Sequence, residues 1–222
     1  MNKIFPLIFK KDLYLDYEDH LFAHNKIDRV PNQLNKHYRY VKQYWELTKK
    51  RTAIDIGCRF GEYTHYLVKH FDNVKCFEPR ENCLNYQFNR NVPKDKVTVY
   101  PYALGENNGT VEMYGGAIFN QTIRDTIKEK NIKKFPVYTL DTFQFDNVDL
   151  IKIDVEGYET KVIHGSLATI EKHRPLMIIE QNGSDLLWGW ENKENETVEL
   201  LQSLDYVVVD KIKNDYVLRS NK

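Results

Sequence analysis

Ala53-Ile54-Asp55-Ile56-Gly57-Cys58-Arg59-Phe60-Gly61 joins a short, mostly apolar run to a turn that contains two glycines. A run of this length that stops at a glycine is typical of a buried strand followed by a tight turn. The glycines let the backbone approach a ligand closely. This stretch therefore predicts the first strand of an α/β domain, with a binding loop directly after it.

Strand-like and helix-like segments alternate on the carboxyl side of this stretch. The predicted strands of the main sheet are residues 53–56, 74–77, 97–100, 150–153, 176–180, 206–209 and 216–218. The predicted helices between them are residues 62–71, 80–91, 158–169 and 194–204. Residues 110–114 and 135–138 are predicted as inserted extra strands. The pattern predicts a Rossmann-like α/β fold: a mostly parallel central sheet with helices on both faces, an antiparallel closing strand and a strand insertion.

The length and charge of the chain limit its organisation and partners. Its 222 residues fit one globular domain, in which we expect residues 1–50 to form an N-terminal helical cap segment and residues 51–222 the main domain. Lys and Arg number 32, and so do Asp and Glu, so the formal net charge is zero. Because a dedicated nucleic-acid binder usually has a basic field, no nucleic-acid partner is expected.

Cysteine usage and the N-terminus predict the location of the protein. The three cysteines, Cys58, Cys76 and Cys83, match no zinc-binding pattern, and their odd number argues against a disulfide framework. Residues 1–9 are apolar over too short a run to span a membrane, and no cleavage signal follows them. We therefore expect a cytoplasmic protein with free thiols and no membrane partner.

Acidic residues follow most of the predicted parallel strands. In such a sheet, ligands bind at the carboxyl ends of the strands, which lie along one edge. The acids at these ends are Asp55, Glu78, Asp154, Glu156 and Glu180. Each alone is also compatible with a structural role such as capping a helix. Together, at successive strand ends, they favour a ligand site.

The first two acids indicate an adenosine-containing ligand. Asp55 and Glu78 are 23 residues apart, one strand–helix–strand step, and an acid at the second position can accept hydrogen bonds from ribose hydroxyls. The loop 57–61 lacks the middle glycine of the G-x-G-x-x-G motif, which admits a dinucleotide pyrophosphate. This favours S-adenosylmethionine over a nicotinamide dinucleotide. A nicotinamide-dependent oxidoreductase and a catalytically silent interaction module of the same fold are the alternatives.

Longer segments strengthen this interpretation. They are residues 53–64, 77–79, 102–105, 139–142, 150–159 and 175–180, including Ala-Leu-Gly at 103–105 and Lys-Ile-Asp-Val-Glu-Gly at 152–157. Over about residues 50–182 the sequence resembles the FkbM family of S-adenosylmethionine-dependent methyltransferases. The resemblance implies the class I methyltransferase fold, that activity and that cofactor. Cys58-Arg59 departs from the family, which commonly has Ala-Asn there.

The resemblance also implies roles for individual residues. Asp55 and Gly57 would face the methionine part of the cofactor, and Glu78 would hold the ribose. Ala103 and Leu104 would lie near the adenine. Asp154 would lie close to the sulfonium and the acceptor. The other predicted cofactor-binding residues are Cys58, Arg59, Gly61, Thr64 and Pro79.

Methyl transfer to a hydroxyl also needs a group that aligns the acceptor and removes its proton. Because side chains alternate along a strand, Lys152 and Asp154 are predicted to share a face. Asp154 is the first candidate for the base, and Glu156, Glu180 and Glu159 are alternatives. Three nearby acids can also bind a divalent ion, but the spacing does not select this, and no metal is predicted.

The acceptor is less well defined by the sequence. Asn120-Gln121, Trp188 and Trp190 are predicted near the pocket mouth, where aromatic faces can stack on a sugar ring. The tryptophans are equally compatible with packing against the cap segment. The family resemblance suggests O-methylation of a hydroxyl on a sugar or small metabolite. We therefore expect a small-molecule or glycan acceptor.

Overall fold

The computed structural model describes residues 41–46, 48–59, 61, 63–81, 83–84, 95–114, 117–118, 132–181 and 195–222. The helical cap predicted over residues 1–50 is described only in part, and residues 41–45 of it are helical. Its division from a main domain at 51–222 stays a prediction. Most of the helix predicted over 80–91, and the predicted acceptor residues Asn120, Gln121, Trp188 and Trp190, lie outside the described residues.

Within these ranges the chain forms two sheets and several short helices. The strands are β1 (Thr52–Ile56), β2 (Asn73–Phe77), β3 (Val97–Tyr100), β4 (Ala103–Leu104), β5 (Gly109–Tyr114), β6 (Ala117–Ile118), β7 (Lys133–Tyr138), β8 (Val148–Ile153), β9 (Leu176–Glu180), β10 (Tyr206–Ile212) and β11 (Asp215–Ser220). The α-helices are α1 (Thr64–Leu67), α2 (Glu159–His164), α3 (Leu167–His173) and α4 (Glu196–Ser203), and Leu140–Phe143 form a 3₁₀ helix.

The central sheet has seven strands in the order β10-β11-β9-β8-β1-β2-β3. Strands β3, β2, β1, β8 and β9 are parallel, whereas β11 is antiparallel to β9 and to β10. This confirms the predicted α/β fold. Along the chain, β2 and then β3 are added on one side of β1, and β8 is later added on the other side of β1. The strand order therefore reverses between β1 and β8, which is where ligands bind in open α/β sheets.

The inserted strands form a separate four-stranded sheet, β4-β7-β5-β6. It contains the segments predicted as extra strands at 110–114 and 135–138. Ala103 and Leu104, predicted only to follow the third strand, pair with Val137 and Tyr138 as part of this second sheet. The insertion therefore places Ala103 beside the carboxyl edge of the central sheet.

Apolar side chains pack on both faces of the central sheet. Ile54 and Ile56 belong to the cluster that includes Val162 of α2 and Leu201 of α4. Ala53, which points the opposite way, belongs to the cluster that includes Leu67 of α1 and Trp45. Because both faces of β1 are covered, its strand is apolar almost throughout, as is typical of a parallel sheet buried on both sides.

The single helix predicted over residues 158–169 is wrong, because the structure has two helices separated at Gly165-Ser166. A Cβ atom on Gly165 would lie 1.9 Å from the carbonyl oxygen of Gly105, so the break allows close contact with the loop after β4. Asp141 then accepts hydrogen bonds from the backbone N–H groups of Ala168 (3.0 Å) and Thr169 (2.8 Å) at the start of α3. Tertiary contacts thus override the helical periodicity.

Candidate functional site

A cleft with about 930 Å³ of empty space opens at the carboxyl ends of β1, β2 and β8. Most of the predicted site residues line it: Asp55, Gly57, Cys58, Arg59, Glu78, Pro79, Ala103, Asp154 and Glu156. The structure therefore brings together residues from four separate segments of the chain.

The other predicted site residues lie behind the cleft wall. Thr64 is fully buried and contacts Asp55 rather than the cleft, and Leu104 packs in the apolar core. Gly61 closes the turn after β1, where its N–H donates to the Cys58 carbonyl oxygen at 2.7 Å. Glu180 is close enough to Asp154 for the two carboxyl groups to shift each other's pKa. These residues are placed to support the wall of the cleft.

Several lining residues were not predicted. They are Ile56, Tyr63, Phe77, Arg80, Tyr102, Met113, Lys152 and Val155. The alternation along β8 was a signal for Lys152. Met113 comes from the second sheet, and no local pattern connects it with the strand ends of the first.

The loop after β1 can contact the end of β8 only because residue 57 is glycine. Gly57 has φ +77°, and a Cβ atom there would lie 1.8 Å from the carbonyl oxygen of Asp154. The backbone N–H groups of Gly57 and Cys58 both donate to the Phe77 carbonyl oxygen, at 2.9 and 3.2 Å. The glycine therefore lets the loop after β1 pack directly against the backbone at the end of β8.

Asp55 forms a buried part of the cleft wall. Its side chain accepts a hydrogen bond from the hydroxyl of Thr64 at 2.6 Å, and both residues are fully buried. The Asp55 carboxylate also acts on Lys152, whose pKa it helps to raise. Thr64 thereby fixes the orientation of the acid at the end of β1.

Four donors surround the carboxylate of Glu78. Oε1 accepts from the backbone N–H and the Nε of Arg80, at 3.0 and 2.7 Å. Oε2 accepts from the backbone N–H of Arg59 at 3.2 Å and from Nη2 of Arg80 at 3.1 Å. A carboxylate has about four lone-pair positions, so this set leaves little capacity for a further donor. Glu78 is only 2% exposed, so Arg80 balances a buried charge.

The other end of the site contains a group of three titratable side chains, Asp154, Lys152 and Glu180. Nζ of Lys152 donates to Oδ2 of Asp154 at 2.9 Å and lies 5.2 Å from the ring centroid of Tyr63. Lys152 is buried, whereas the Asp154 side chain is 34% exposed. This arrangement presents one carboxylate to the cleft and keeps its partner cation inside the protein.

The protonation of this group follows from its surroundings. Burial raises the pKa of Asp154, but the ammonium of Lys152 and the hydrogen bond with Glu180 lower it more, so its pKa lies below the usual range. Burial and the Asp154 charge raise the pKa of Glu180 well above the usual range. Burial lowers the pKa of Lys152, but the charges of Asp154 and Asp55 raise it overall. At neutral pH, Asp154 is therefore ionised, Lys152 is protonated and Glu180 carries a proton.

Glu159 shapes the loop between Asp154 and α2. Its Oε1 accepts hydrogen bonds from the backbone N–H groups of Val155 (2.9 Å) and Gly157 (3.2 Å). The loop contains two positive φ angles, +58° at Glu156 and +98° at Gly157. Since Glu159 is buried and faces this backbone, it supports the loop rather than the cleft. Glu156, in contrast, is exposed at the cleft rim.

The cysteines contribute no reactive thiol to the site. All three are buried, and none forms a disulfide with another. Burial is the main cause that raises the pKa of Cys58 well above its usual value, which keeps the lining thiol protonated. Among the described residues, no three His, Cys, Asp or Glu side chains are grouped as a metal site would require. Nor does any helix of the described chain have the length and apolar character needed to cross a bilayer.

A family model described as the methyltransferase FkbM domain matches residues 55–208 of the chain. The chain belongs to the FkbM methyltransferase family. The match includes the ends of β1, β2, β8 and β9, and therefore the whole acid-lined cleft. Family membership makes the chain a methyltransferase with S-adenosylmethionine as its cofactor, and it favours this activity over the nicotinamide-dependent alternative.

Solved structures show the same fold. An FkbM methyltransferase from Methylobacillus flagellatus KT is 21% identical, with a TM-score of 0.53; the match covers 76% of this chain and 43% of that chain. The matched region thus spans less than half the length of that protein. The N-methyltransferase NodS from Bradyrhizobium japonicum WM9, in complex with S-adenosyl-L-homocysteine, is 13% identical over 94% of this chain and 98% of that one, with a TM-score of 0.51. No curated protein matches the sequence significantly.

The cleft of this FkbM methyltransferase fits its cofactor. Glu78 is a carboxylate at the end of β2, where an acid can accept hydrogen bonds from ribose hydroxyls. The anionic Asp154 also suits a ligand that carries a sulfonium charge.

Proposed function

We propose that this FkbM methyltransferase transfers a methyl group to a hydroxyl of a sugar or another small metabolite, and that Asp154 accepts the hydroxyl proton. The observation that carries the proposal is the arrangement of Asp154, which is ionised, partly exposed to the cleft and fixed by Lys152 at 2.9 Å. Burial and Asp154 raise the pKa of Glu180 to about 9, so Glu180 is protonated at neutral pH.

We assign each part of the cofactor to different residues of the cleft. Bound S-adenosylmethionine supplies a methyl group that is already activated by the sulfonium. We propose that Glu78 holds the ribose, that Tyr102 and Ala103 border the adenine, and that Gly57 and the Asp55 region hold the amino-acid end. This assignment follows the order of the strands in the sheet: Tyr102 and Ala103 come after β3, Glu78 after β2 and Gly57 after β1.

A carboxylate with a lowered pKa is sufficient for the proton transfer. A free hydroxyl is a weak acid. Its proton becomes strongly acidic as the oxygen forms its third bond, which is the new bond to the methyl carbon. The base therefore needs to be ionised and within hydrogen-bonding distance more than it needs high basicity. Lys152 keeps Asp154 ionised, and Glu180 can donate a hydrogen bond that fixes the second side of the carboxylate.

The carboxylates at the rim of the cleft suit an acceptor that carries hydroxyl groups. Glu156 lies exposed on the same rim, and together with Asp154 it places negative charge where the acceptor enters. Sugar hydroxyls can donate hydrogen bonds to these carboxylates. This supports a hydroxyl-bearing acceptor.

The proposal is tested by incubating the full chain with S-adenosylmethionine and a panel of monosaccharides, glycosides and hydroxylated metabolites. Formation of S-adenosylhomocysteine and a methyl ether, identified by mass spectrometry, is the expected result. A product methylated on nitrogen or on nucleic acid would contradict it. Tight binding of S-adenosylhomocysteine without turnover of any acceptor would support the catalytically silent alternative.

A further inference from the structure

A second cleft lies at the amino ends of the parallel strands β1, β8 and β9, opposite the first cleft, and contains about 1070 Å³ of empty space. It is bordered by Tyr44, by residues 48–51, by the loop before β9 and by the end of β11. With a rise of about 3.3 Å per residue, the two ends of the six-residue β8 are roughly 17 Å apart. The second cleft is thus separate from the cofactor site.

This cleft is basic although the whole chain is neutral. Five basic side chains, Lys49, Arg51, Arg174, Arg219 and Lys222, line it together with a single carboxylate, Asp149. They come from segments that are far apart in the sequence. The concentration of positive charge is therefore created by the fold and is invisible in the composition.

Only two of the five cations are neutralised by neighbouring acids. Arg51 forms a bidentate ion pair with Asp149, with Nη2–Oδ1 at 2.6 Å and Nε–Oδ2 at 3.0 Å. Lys222 pairs with Asp205. In the part of the chain that the structure describes, Lys49, Arg174 and Arg219 form no ion pair with an acid. Three positive charges therefore remain around one concave surface.

Part of this surface is held in place before any ligand binds. Arg174 ends α3 in the left-handed region, with φ +47°, and its Nη1 donates to the Leu204 carbonyl oxygen at 2.7 Å. His173 forms a 2.9 Å hydrogen bond with the Phe145 carbonyl oxygen. A fixed cationic group loses little conformational entropy when it binds an anion, which favours affinity.

We propose that this cleft is a second binding site for a small, soluble ligand that carries phosphate groups. Arginine and lysine are the side chains that recognise phosphate oxygens, through charge-assisted hydrogen bonds. The charges are gathered in one cleft of ligand size rather than spread along an extended stripe, which favours a small molecule over a nucleic-acid backbone.

The test is a calorimetric titration of the full chain with inorganic pyrophosphate. Saturating S-adenosylhomocysteine is present, so that the cofactor cleft does not compete for the probe. The variant Lys49→Gln/Arg219→Gln removes two charges from the cleft. The control Lys69→Gln/Lys133→Gln removes two exposed charges elsewhere.

We expect one pyrophosphate per chain, with affinity that falls as the NaCl concentration rises. The affinity should be about tenfold or more weaker in Lys49→Gln/Arg219→Gln and unchanged in the control. Both variants should bind S-adenosylhomocysteine like the wild type, which shows that they are folded. The proposal is wrong if pyrophosphate does not bind, if both variants bind it equally well, or if a short single-stranded RNA binds at this cleft and pyrophosphate does not.

Discussion

The guanidinium group of Arg80 occupies both oxygens of the Glu78 carboxylate, with Nε–Oε1 at 2.7 Å and Nη2–Oε2 at 3.1 Å. Backbone N–H groups of Arg59 and Arg80 contact the same oxygens. A ribose that is to be held by Glu78 must therefore displace at least part of the Arg80 side chain. Arg80 thus competes with the cofactor for the acid that is expected to bind it.

Replacing Glu78 with alanine should weaken the binding of S-adenosylhomocysteine. The loss of hydrogen bonds to a charged group should cost on the order of 1–3 kcal/mol of binding free energy. Calorimetric titration of the variant measures this loss, and Glu112→Ala, in the second sheet, is a matched control. If Glu78→Ala binds as tightly as the wild type, the ribose is held elsewhere.

Replacing Arg80 with methionine should have the opposite effect. Methionine keeps much of the apolar stem but removes the guanidinium, so Glu78 can accept the ribose hydroxyls without first losing a partner. Because the Arg80 side chain is 26% exposed, solvent weakens the ion pair, and we expect only about a two- to tenfold gain in affinity. The same titration decides the point: weaker binding would mean that Arg80 itself contacts the cofactor.

Replacing Asp154 with asparagine should preserve cofactor binding but reduce turnover. Asparagine keeps the size and one oxygen acceptor of Asp154 but cannot take the hydroxyl proton. General-base catalysis usually contributes about 10²- to 10⁴-fold, so kcat should fall at least about a hundredfold. Initial rates, measured with an acceptor identified in the proposed panel, give the change in kcat. Asp72→Asn, at an exposed acid, is the control. An unimpaired rate would remove Asp154 from the mechanism.

The acids of the site could be predicted because strand alternation and strand ends specify their position. Asp55, Glu78 and Asp154 line one cleft because parallel strands end at a common edge. The partner of Glu78 could not be predicted in this way. Arg80 turns back across Pro79 to reach an acid two residues earlier, and this depends on a side-chain conformation that no periodicity encodes.

Tertiary contacts explain the remaining differences. The helix predicted over 158–169 divides because Gly165 must approach the backbone of Gly105. Met113 reaches the cofactor cleft through pairing within the second sheet, between strands that are distant in sequence. These features depend on how separate elements pack, so they cannot be predicted from a local sequence pattern.

Replacing Lys152 with methionine should shift the pH dependence of kcat. In the wild type, the Lys152 ammonium is the largest of the effects that lower the pKa of Asp154, so the base stays ionised into acidic solution. Without this charge, burial raises the pKa of Asp154, and the carboxylate becomes protonated at a higher pH. The acidic limb of the kcat profile should therefore move to higher pH. An unmoved limb would show that another group limits the rate at acidic pH.

Glu159 supplies a test of loop support that does not depend on the acceptor. Burial is the largest effect on this carboxyl and raises its pKa from its ordinary value of 4.5 to about 7, although the N–H groups of Val155 and Gly157 oppose the shift. A pKa that is raised by folding favours the protonated folded state. Its stabilising contribution is thus complete below pH 4.5 and is lost as the pH rises through about 7.

Glu159→Gln should remove this pH dependence and keep the loop, because the amide oxygen can still accept from both N–H groups. Between pH 4.5 and 7, the free energy of unfolding should therefore fall more steeply for the wild type than for Glu159→Gln. Chemical denaturation at several pH values measures the difference, with Glu199→Gln, an exposed glutamate of α4, as the control. Glu180 titrates in all three proteins, so its contribution cancels. Parallel stability curves for wild type and Glu159→Gln would mean that Glu159 is already ionised throughout this range, and that its two backbone hydrogen bonds outweigh its burial.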